Sequence, residues 1–525
     1  MNPRHLLVLL LAAMLTLSCA SGSNASTAND AAPPADGNAP ADSSGVDSGD
    51  SPPETMADEP AILLTIDLHV DPIQQVPDEA RRKIFRERRD NAVWLLETLK
   101  GTGARITFLG VGEFFEYCRE EEEREACFEL LQALYESGGS IGTHTHYGIQ
   151  LGTHDWPQLK GEVTEQEAAQ SWEDAVTMID GAITEALGLT DPAAIRDVNN
   201  IHGSHLPTDD AAYDALMRQY GFAVLESGPE EDFYGLFGHH IWNVYRPSPD
   251  NWMTENPNTP YVLVPSGPVV GLTQVHKGIE QDMGLPHVQT MFLQLLANWR
   301  HRVQTGATDQ IWTFGVAMHT HDISEGSEVR AAISALVEWM NANFVGKTTL
   351  DGRVMARWEG RMAVSDVFES WESAHPEASA FAYPSTVREN SLYPYLLPIQ
   401  TELEDAQWVA TLDTPSPVTA YQFERNGVPI VLVWTDNAAS ATVDLSSVFP
   451  ALSELTVIDG VDGSSATQPV TAIPVTGSSI VVRGEESPRG NRPDPPSPGS
   501  NPCGDGTCDD MEKSKPELCP EDCAG

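Results

Sequence analysis

Between Ala61 and about Ser370 the chain alternates short, β-rich apolar runs with longer stretches whose apolar residues recur at helical spacing. That alternation dictates parallel strands joined by crossover helices, an α/β architecture. Seven runs read as strands: Ala61 to Asp67, Arg105 to Leu109, Ser140 to Thr143, Arg196 to Asn200, Ala223 to Glu226, Tyr261 to Pro265 and Trp312 to Met318. Helical periodicity covers Asp78 to Leu99, Arg124 to Glu136, Thr164 to Leu187, Asp209 to Tyr220, Val288 to Val303 and Glu328 to Phe344. Thr208 is placed to cap the fourth of these, with Asp209 and Asp210 in its first turn. The charge run from Arg81 to Arg89 reads as a solvated helix face.

At 525 residues the chain exceeds what one core usually supports. After about Gln407 helical patterns stop. Runs such as Val418 to Glu424, Ile430 to Trp434, Ala441 to Leu445 and Leu455 to Ile458 alternate with Gly, Asn, Asp and Pro turns. They predict a small all-β sandwich over residues 407–483, joined to the α/β unit of residues 61–370 by a connecting segment, 371–406. Asp and Glu outnumber Lys and Arg by 77 to 30, and the resulting net charge of −47 repels phosphate backbones, which excludes nucleic acid as a partner.

The ends of the chain speak of export. Residues 1–19 carry Arg4 and His5, then the apolar run Leu6 to Leu17, too short to span a bilayer, and end at Ser18-Cys19. A small residue before a cysteine resembles the lipobox of bacterial lipoproteins, which implies lipidation of Cys19 and placement in the cell envelope, with simple secretion as the alternative. Membrane contact is then expected only through that anchor. Residues 20–60 lack large apolar side chains and predict a disordered tether. An exported chain meets an oxidising compartment, so the other six cysteines, Cys118, Cys127, Cys503, Cys508, Cys519 and Cys523, are expected in disulfides. Nine helical steps would hold Cys118 and Cys127 about 13 Å apart, so a bridge there requires a bend. Residues 484–502 form a Pro-rich linker, and 503–525 predict a disulfide-rich C-terminal module.

Histidines and aspartates collect where the strands end. The first strand finishes Asp67-Leu68-His69-Val70-Asp71, and alternation directs all three polar residues to one side. The third finishes His144-Thr145-His146, the fourth is followed by His202-Gly203-Ser204-His205, and the seventh finishes His319-Thr320-His321. Seven of the 15 histidines therefore lie in four strand-end clusters, the place where parallel folds keep their chemistry. One such cluster alone would be satisfied by water, but their recurrence predicts a shared metal or catalytic site. Asp71, His144 and His146 are the preferred ligands, with His154 a rival to His146. Imidazole and carboxylate donors suit a divalent metal, zinc foremost, with iron, cobalt and nickel also accommodated.

These residues carry a resemblance to the polysaccharide deacetylase family, also called the NodB homology or carbohydrate esterase 4-like fold. It rests on the Asp-bearing first strand, Arg105-Ile106-Thr107-Phe108-Leu109-Gly110, Gly138-Gly139-Ser140-Ile141-Gly142-Thr143-His144 and Met318-His319. The resemblance implies a distorted seven-stranded (β/α) barrel and a metal-dependent hydrolase that removes acyl groups from a carbohydrate polymer or oligosaccharide, at a C–N bond. Asp67 matches the family's base. Leu68 stands at the family's metal-binding Asp, so Asp71 takes that role, and Gly148 stands at its second His, so His146 substitutes. The resemblance makes His319 the acid that serves the leaving group. The family's Arg-containing motif after the fourth strand is replaced by His202 to His205, and His202, His205 and His321 are expected to meet substrate. The alternatives are a catalytically inactive carbohydrate-binding surface protein and a glycoside hydrolase-like enzyme using Asp67 and Asp71. Oligomeric state is left open.

Overall fold

The structure, a computed structural model, describes residues 60–484 except 74–76, 146–164, 205–210, 227–241, 249–250, 266, 269, 271–272, 277–278, 283, 305–309, 350–351, 377, 382–397, 404 and 437–438. The signal-like segment with Cys19, the tether up to residue 59, residues 485–502, the C-terminal cysteines Cys503, Cys508, Cys519 and Cys523, and both His146 and His205 lie outside the described residues. Among the described residues no helix is long and apolar enough to cross a membrane.

All seven expected strands form. They are β1 (Ile62–His69), β2 (Ile106–Gly110), β3 (Ser140–Thr145), β4 (Asn199–Ser204), β5 (Val224–Leu225), then, after the hairpin of β6 (Pro247–Ser248) and β7 (Asn251–Glu255), β8 (Val262–Leu263), and, after the hairpin of β9 (Thr273–His276) and β10 (Ile279–Asp282), β11 (Thr313–His319). They pair in the order β11-β1-β2-β3-β4-β5-β8, every pair parallel. β1 is buried along its whole length, as a strand covered on both faces must be. An eighth strand, β12 (Ala356–Trp358), which the sequence pattern did not reveal, lies beside the first half of β1, while β2 lies beside its second half.

The sheet curls until its edges are tied together. Asn243 bridges Trp312 and Tyr245 bridges Leu263, both antiparallel, so one extended segment spans from β8 to the start of β11. Higher up, Ala317 N–H donates to the Pro268 carbonyl and Val270 N–H to the Ala317 carbonyl, the slanted pattern of parallel pairing. Gly267 and Gly315 allow this approach: a Cβ on Gly267 would overlap the Gly315 carbonyl, and one on Gly315 would stand 2.6 Å from Thr65 Oγ1. The result is a distorted, barrel-like closure.

The expected β4 began too early. Arg196 belongs instead to a helix, Pro192–Val198, with Asp191 accepting the Ala193 N–H as N-cap and proline in its first turn, the signals that start a helix. The Asp78–Leu99 and Arg124–Glu136 helices have the expected bounds. Between Cys118 and Cys127 the helix Gly112–Cys118 ends and Arg124–Glu136 begins, which supplies the bend. The expected disulfide is nonetheless not formed here: both are buried free thiols. Burial pushes the Cys118 thiol well up, which keeps it protonated.

The C-terminal strands β13 (Gln407–Thr411), β14 (Val418–Arg425), β15 (Val428–Thr435), β16 (Ala441–Val443), β17 (Glu454–Asp459), β18 (Ser465–Pro469), β19 (Ile473–Val475) and β20 (Ile480–Arg483) form a six-stranded antiparallel sheet, β13-β14-β15-β20-β17-β18, and a β16-β19 pair. Period-two alternation splits the large sheet's two faces. Val418, Ala420, Val431, Val433 and Val482 face the sandwich core, whereas Tyr421, Phe423, Ile430, Leu432, Trp434 and Val481 join the barrel's core. Arg300, from the Leu285–Gln304 helix, donates to the Thr435 carbonyl at 3.0 Å and lies 4.7 Å over the Trp434 ring.

The helix Arg361–Ala374 runs through position 370, and its first residue reaches into the barrel. Arg361 is fully buried and pairs in bidentate fashion with Asp67 of β1, Nε to Oδ1 at 2.6 Å and Nη2 to Oδ2 at 2.5 Å. Its Nη1 donates to the Val264 carbonyl and its backbone N–H to Thr107 Oγ1, so one residue ties β1 and β2 to the chain just after β8. Removing one member of such a pair strands a buried charge, at a cost of about 3–5 kcal/mol. Arg361→Met is therefore expected to lower the thermal midpoint sharply by circular dichroism, and Arg361→Met with Asp67→Leu to recover much of the loss. A single variant as stable as wild type would show that the pair does not hold the barrel.

Candidate active site

Strand register assembles the site. His69 of β1 pairs with His319 of β11, and His144 of β3 pairs with Gly203 of β4. Beyond β1 the chain is held by Val70 N–H donating to the Leu109 carbonyl and Thr320 N–H donating to the His69 carbonyl. This carries Asp71 over the carboxyl ends of the strands. The rings of His69 and His144 lie 4.8 Å apart, those of His69 and His319 5.6 Å, and those of His319 and His321 5.0 Å and stacked. Residues separated by up to 252 positions thus share one mouth of the barrel.

Asp71 is the centre of this group. Its Oδ1 stands 3.5 Å from His144 Nε2, and its Oδ2 stands 3.7 Å from His321 Nδ1 and 3.9 Å from His319 Nε2. Two of those rings are oriented from behind. His144 Nδ1 lies 2.9 Å from the Gly203 carbonyl, which only accepts, so Nδ1 carries the proton and Nε2 presents its lone pair toward Asp71. His319 Nδ1 lies 2.8 Å from Asp322 Oδ2, with the same consequence. A ligating histidine fixed through its other nitrogen is the usual arrangement around a metal. Donors on a tetrahedral zinc stand about 3.4 Å apart, from bonds of about 2.1 Å, so the spacings around Asp71 need to contract by only tenths of an ångström. The residues fit a divalent cation.

Beneath lies a second, fully buried group. His69 Nε2 is 2.8 Å from Glu226 Oε1, and His69, His144 and Glu226 bring one donor atom each within 4.8 Å of one another, as do Asp71, His319 and His321. Burial alone would push the Glu226 carboxyl up, but His69, Arg361 and His144 hold it below the ordinary range. Burial raises Asp67, against the opposing pull of Arg361. For His319, burial lowers the imidazole and Asp71 and Asp322 more than offset this, so its pKa is raised. For the more exposed His321, burial prevails over the same carboxylates and its pKa is lowered.

Several expectations change in the light of these positions. Asp67, expected as the base, has no exposed surface and both oxygens are bonded to Arg361, so it lies below the site and does not face the opening. His202 does not face the opening either. It is buried, accepts the Trp172 indole N–H at 3.2 Å, and packs against Trp172 and Phe222. Glu226 was missed because a single Glu at a two-residue strand end carries no motif. Arg361 was missed because it lies 294 positions from its partner. Asp322, directly after the His319-Thr320-His321 run, was legible as a polar neighbour but not as the residue that orients His319.

No family model matches the chain, and no curated protein matches it. Among solved structures it is similar to a candidate polysaccharide deacetylase from Mycobacterium smegmatis, at 12% identity and a TM-score of 0.36, covering 60% of this chain and 92% of that one. It is similar to a candidate glycoside hydrolase/deacetylase from Parabacteroides distasonis, at 10% identity and a TM-score of 0.35, covering 73% and 83%. A third is a 4-α-glucanotransferase from Thermococcus litoralis, at 9% identity and a TM-score of 0.33, covering 72% and 67%.

Burial lowers the His202 pKa from 6.5 to about 3. The unfolded chain therefore takes up a proton near pH 6.5 that the folded chain refuses, so this contribution to stability is whole above that pH and drains away as pH falls toward 3. His202→Gln keeps an acceptor for Trp172 and removes the titration. Its deficit in thermal midpoint relative to wild type is expected to shrink or reverse between pH 7 and pH 4; a constant deficit would contradict the neutral, buried ring.

Proposed function

We propose that this chain is a divalent-metal-dependent hydrolase that removes acyl groups from a carbohydrate by cleaving a C–N bond, exported through its N-terminal segment and anchored at Cys19. The observation that carries the reading is the convergence of Asp71, His319 and His321, with His144 opposite, at the carboxyl end of a parallel barrel. The carbohydrate rests on the motif resemblance, of whose residues His144 and His319 line this mouth while Asp67 lies below it, bonded to Arg361. A cation here would polarise the acyl carbonyl and lower the pKa of its water. The chain's own contribution is orientation. Gly203 and Asp322 aim His144 and His319 from behind, and the Asp67–Arg361 pair secures the strand that carries His69 and Asp71. His321, nearly half exposed, marks the side open to substrate. With both Asp67 oxygens engaged by Arg361, the Asp67–Asp71 pair does not serve as the two flanking carboxylates of a glycosidase.

The test is elemental analysis of the purified full chain together with acetate release from N-acetylated oligosaccharides. Wild type is expected to carry metal and lose turnover to chelator, while Asp71→Ala and His319→Ala lose both metal and turnover. Equal metal content in all three proteins would overturn the reading. Asp322→Ala, which removes only the partner of His319 Nδ1, is expected to weaken metal affinity or turnover roughly 10- to 100-fold with the fold retained; an unchanged affinity and rate would remove His319 from the ligand set.

A further inference from the structure

Resting on the metal-dependent reading, we infer that the site holds two cations, one at the open group of Asp71, His319 and His321 and a second at the buried group of His69, His144 and Glu226, with Asp71 bridging them. The two oxygens of Asp71 look in different directions: Oδ1 toward His144, Oδ2 toward His319 and His321. A carboxylate so placed spans two cations, which in two-metal hydrolytic sites stand about 3.5–4 Å apart. His144 can serve only one position, because its Nδ1 proton is held by the Gly203 carbonyl.

Glu226 supplies the independent observation. It is buried, and while Oε1 meets His69, its Oε2 has no hydrogen-bond partner among the described residues, a costly state for a carboxylate oxygen removed from water. An ion pair with His69 alone leaves that oxygen unsatisfied, whereas a cation between His69, His144 and Glu226 engages the carboxylate. The backbone makes room for that carboxylate: a Cβ on Gly203 would overlap Glu226 Oε2. Electrostatics point the same way. Asp67, Asp71, Glu226 and Asp322 gather here, and Arg361 with Arg88, which donates to the Asp71 carbonyl, are the neighbouring guanidiniums. Imidazole and carboxylate donors suit zinc or cobalt in both positions.

The experiment is a titration of chelator-treated full-length protein with cobalt(II), followed by visible d–d absorption, with elemental analysis after zinc reconstitution as the second readout. Wild type is expected to saturate at about two equivalents. Glu226→Gln, with a native circular dichroism spectrum, is expected to saturate at about half that, and Asp71→Asn to lose uptake at both positions. Saturation of wild type at one equivalent overturns the second cation and leaves the single-metal reading standing. Failure of wild type to take up metal overturns both. Glu226→Gln binding as much cobalt as wild type removes Glu226 and the buried position with it. Should Glu226→Gln fail to fold, the wild-type stoichiometry decides by itself.

Discussion

Arg361 inside the barrel is the constraint on which the site depends. A guanidinium with no exposed surface is tolerable only if its charge and its donors are matched, and here Asp67, the Val264 carbonyl and Thr107 meet that demand. Each partner lies on a different part of the sheet. The pair therefore acts as a cross-brace that fixes β1 relative to β2 and to the chain after β8, and β1 is the strand whose next residues are His69 and Asp71.

From that anchored strand the geometry follows by register. Parallel neighbours end at the same level, so a histidine at the end of β1 meets one at the end of β11, and β3 contributes a third across the mouth. What distinguishes the arrangement from a solvated polar rim is that the nitrogens pointing away from Asp71 on His144 and His319 are held by a carbonyl and a carboxylate. Orientation of this kind is fixed by the fold before any ligand arrives, which is why it bears on chemistry.

Much of this was legible in the sequence. The seven strands were marked by apolar runs, and the strand-end histidines were marked by recurrence, because position along a strand and direction of a side chain are both local properties. The Glu226 and Arg361 contributions were not, since neither has a local pattern and each acquires meaning only through a partner far along the chain. Local turn chemistry also won over strand propensity at 192–198, where Asp191 and Pro192 start a helix and delay β4. The two cysteines show the reverse case: the sequence demanded a bend between them and the structure has one, yet the thiols remain separate groups.

The sheet of the C-terminal sandwich has two apolar faces, and one of them belongs to the barrel. Trp408 of β13 lies 5.6 Å from Trp339 on the Glu328–Asn343 helix, and Trp434 lies beneath Arg300. Strands β13, β14, β15 and β20 thus form a wall of the barrel unit and not an attachment to it. A shortened chain ending before them would bare a broad oily flank on the barrel's helices, so the two regions are expected to melt as one piece.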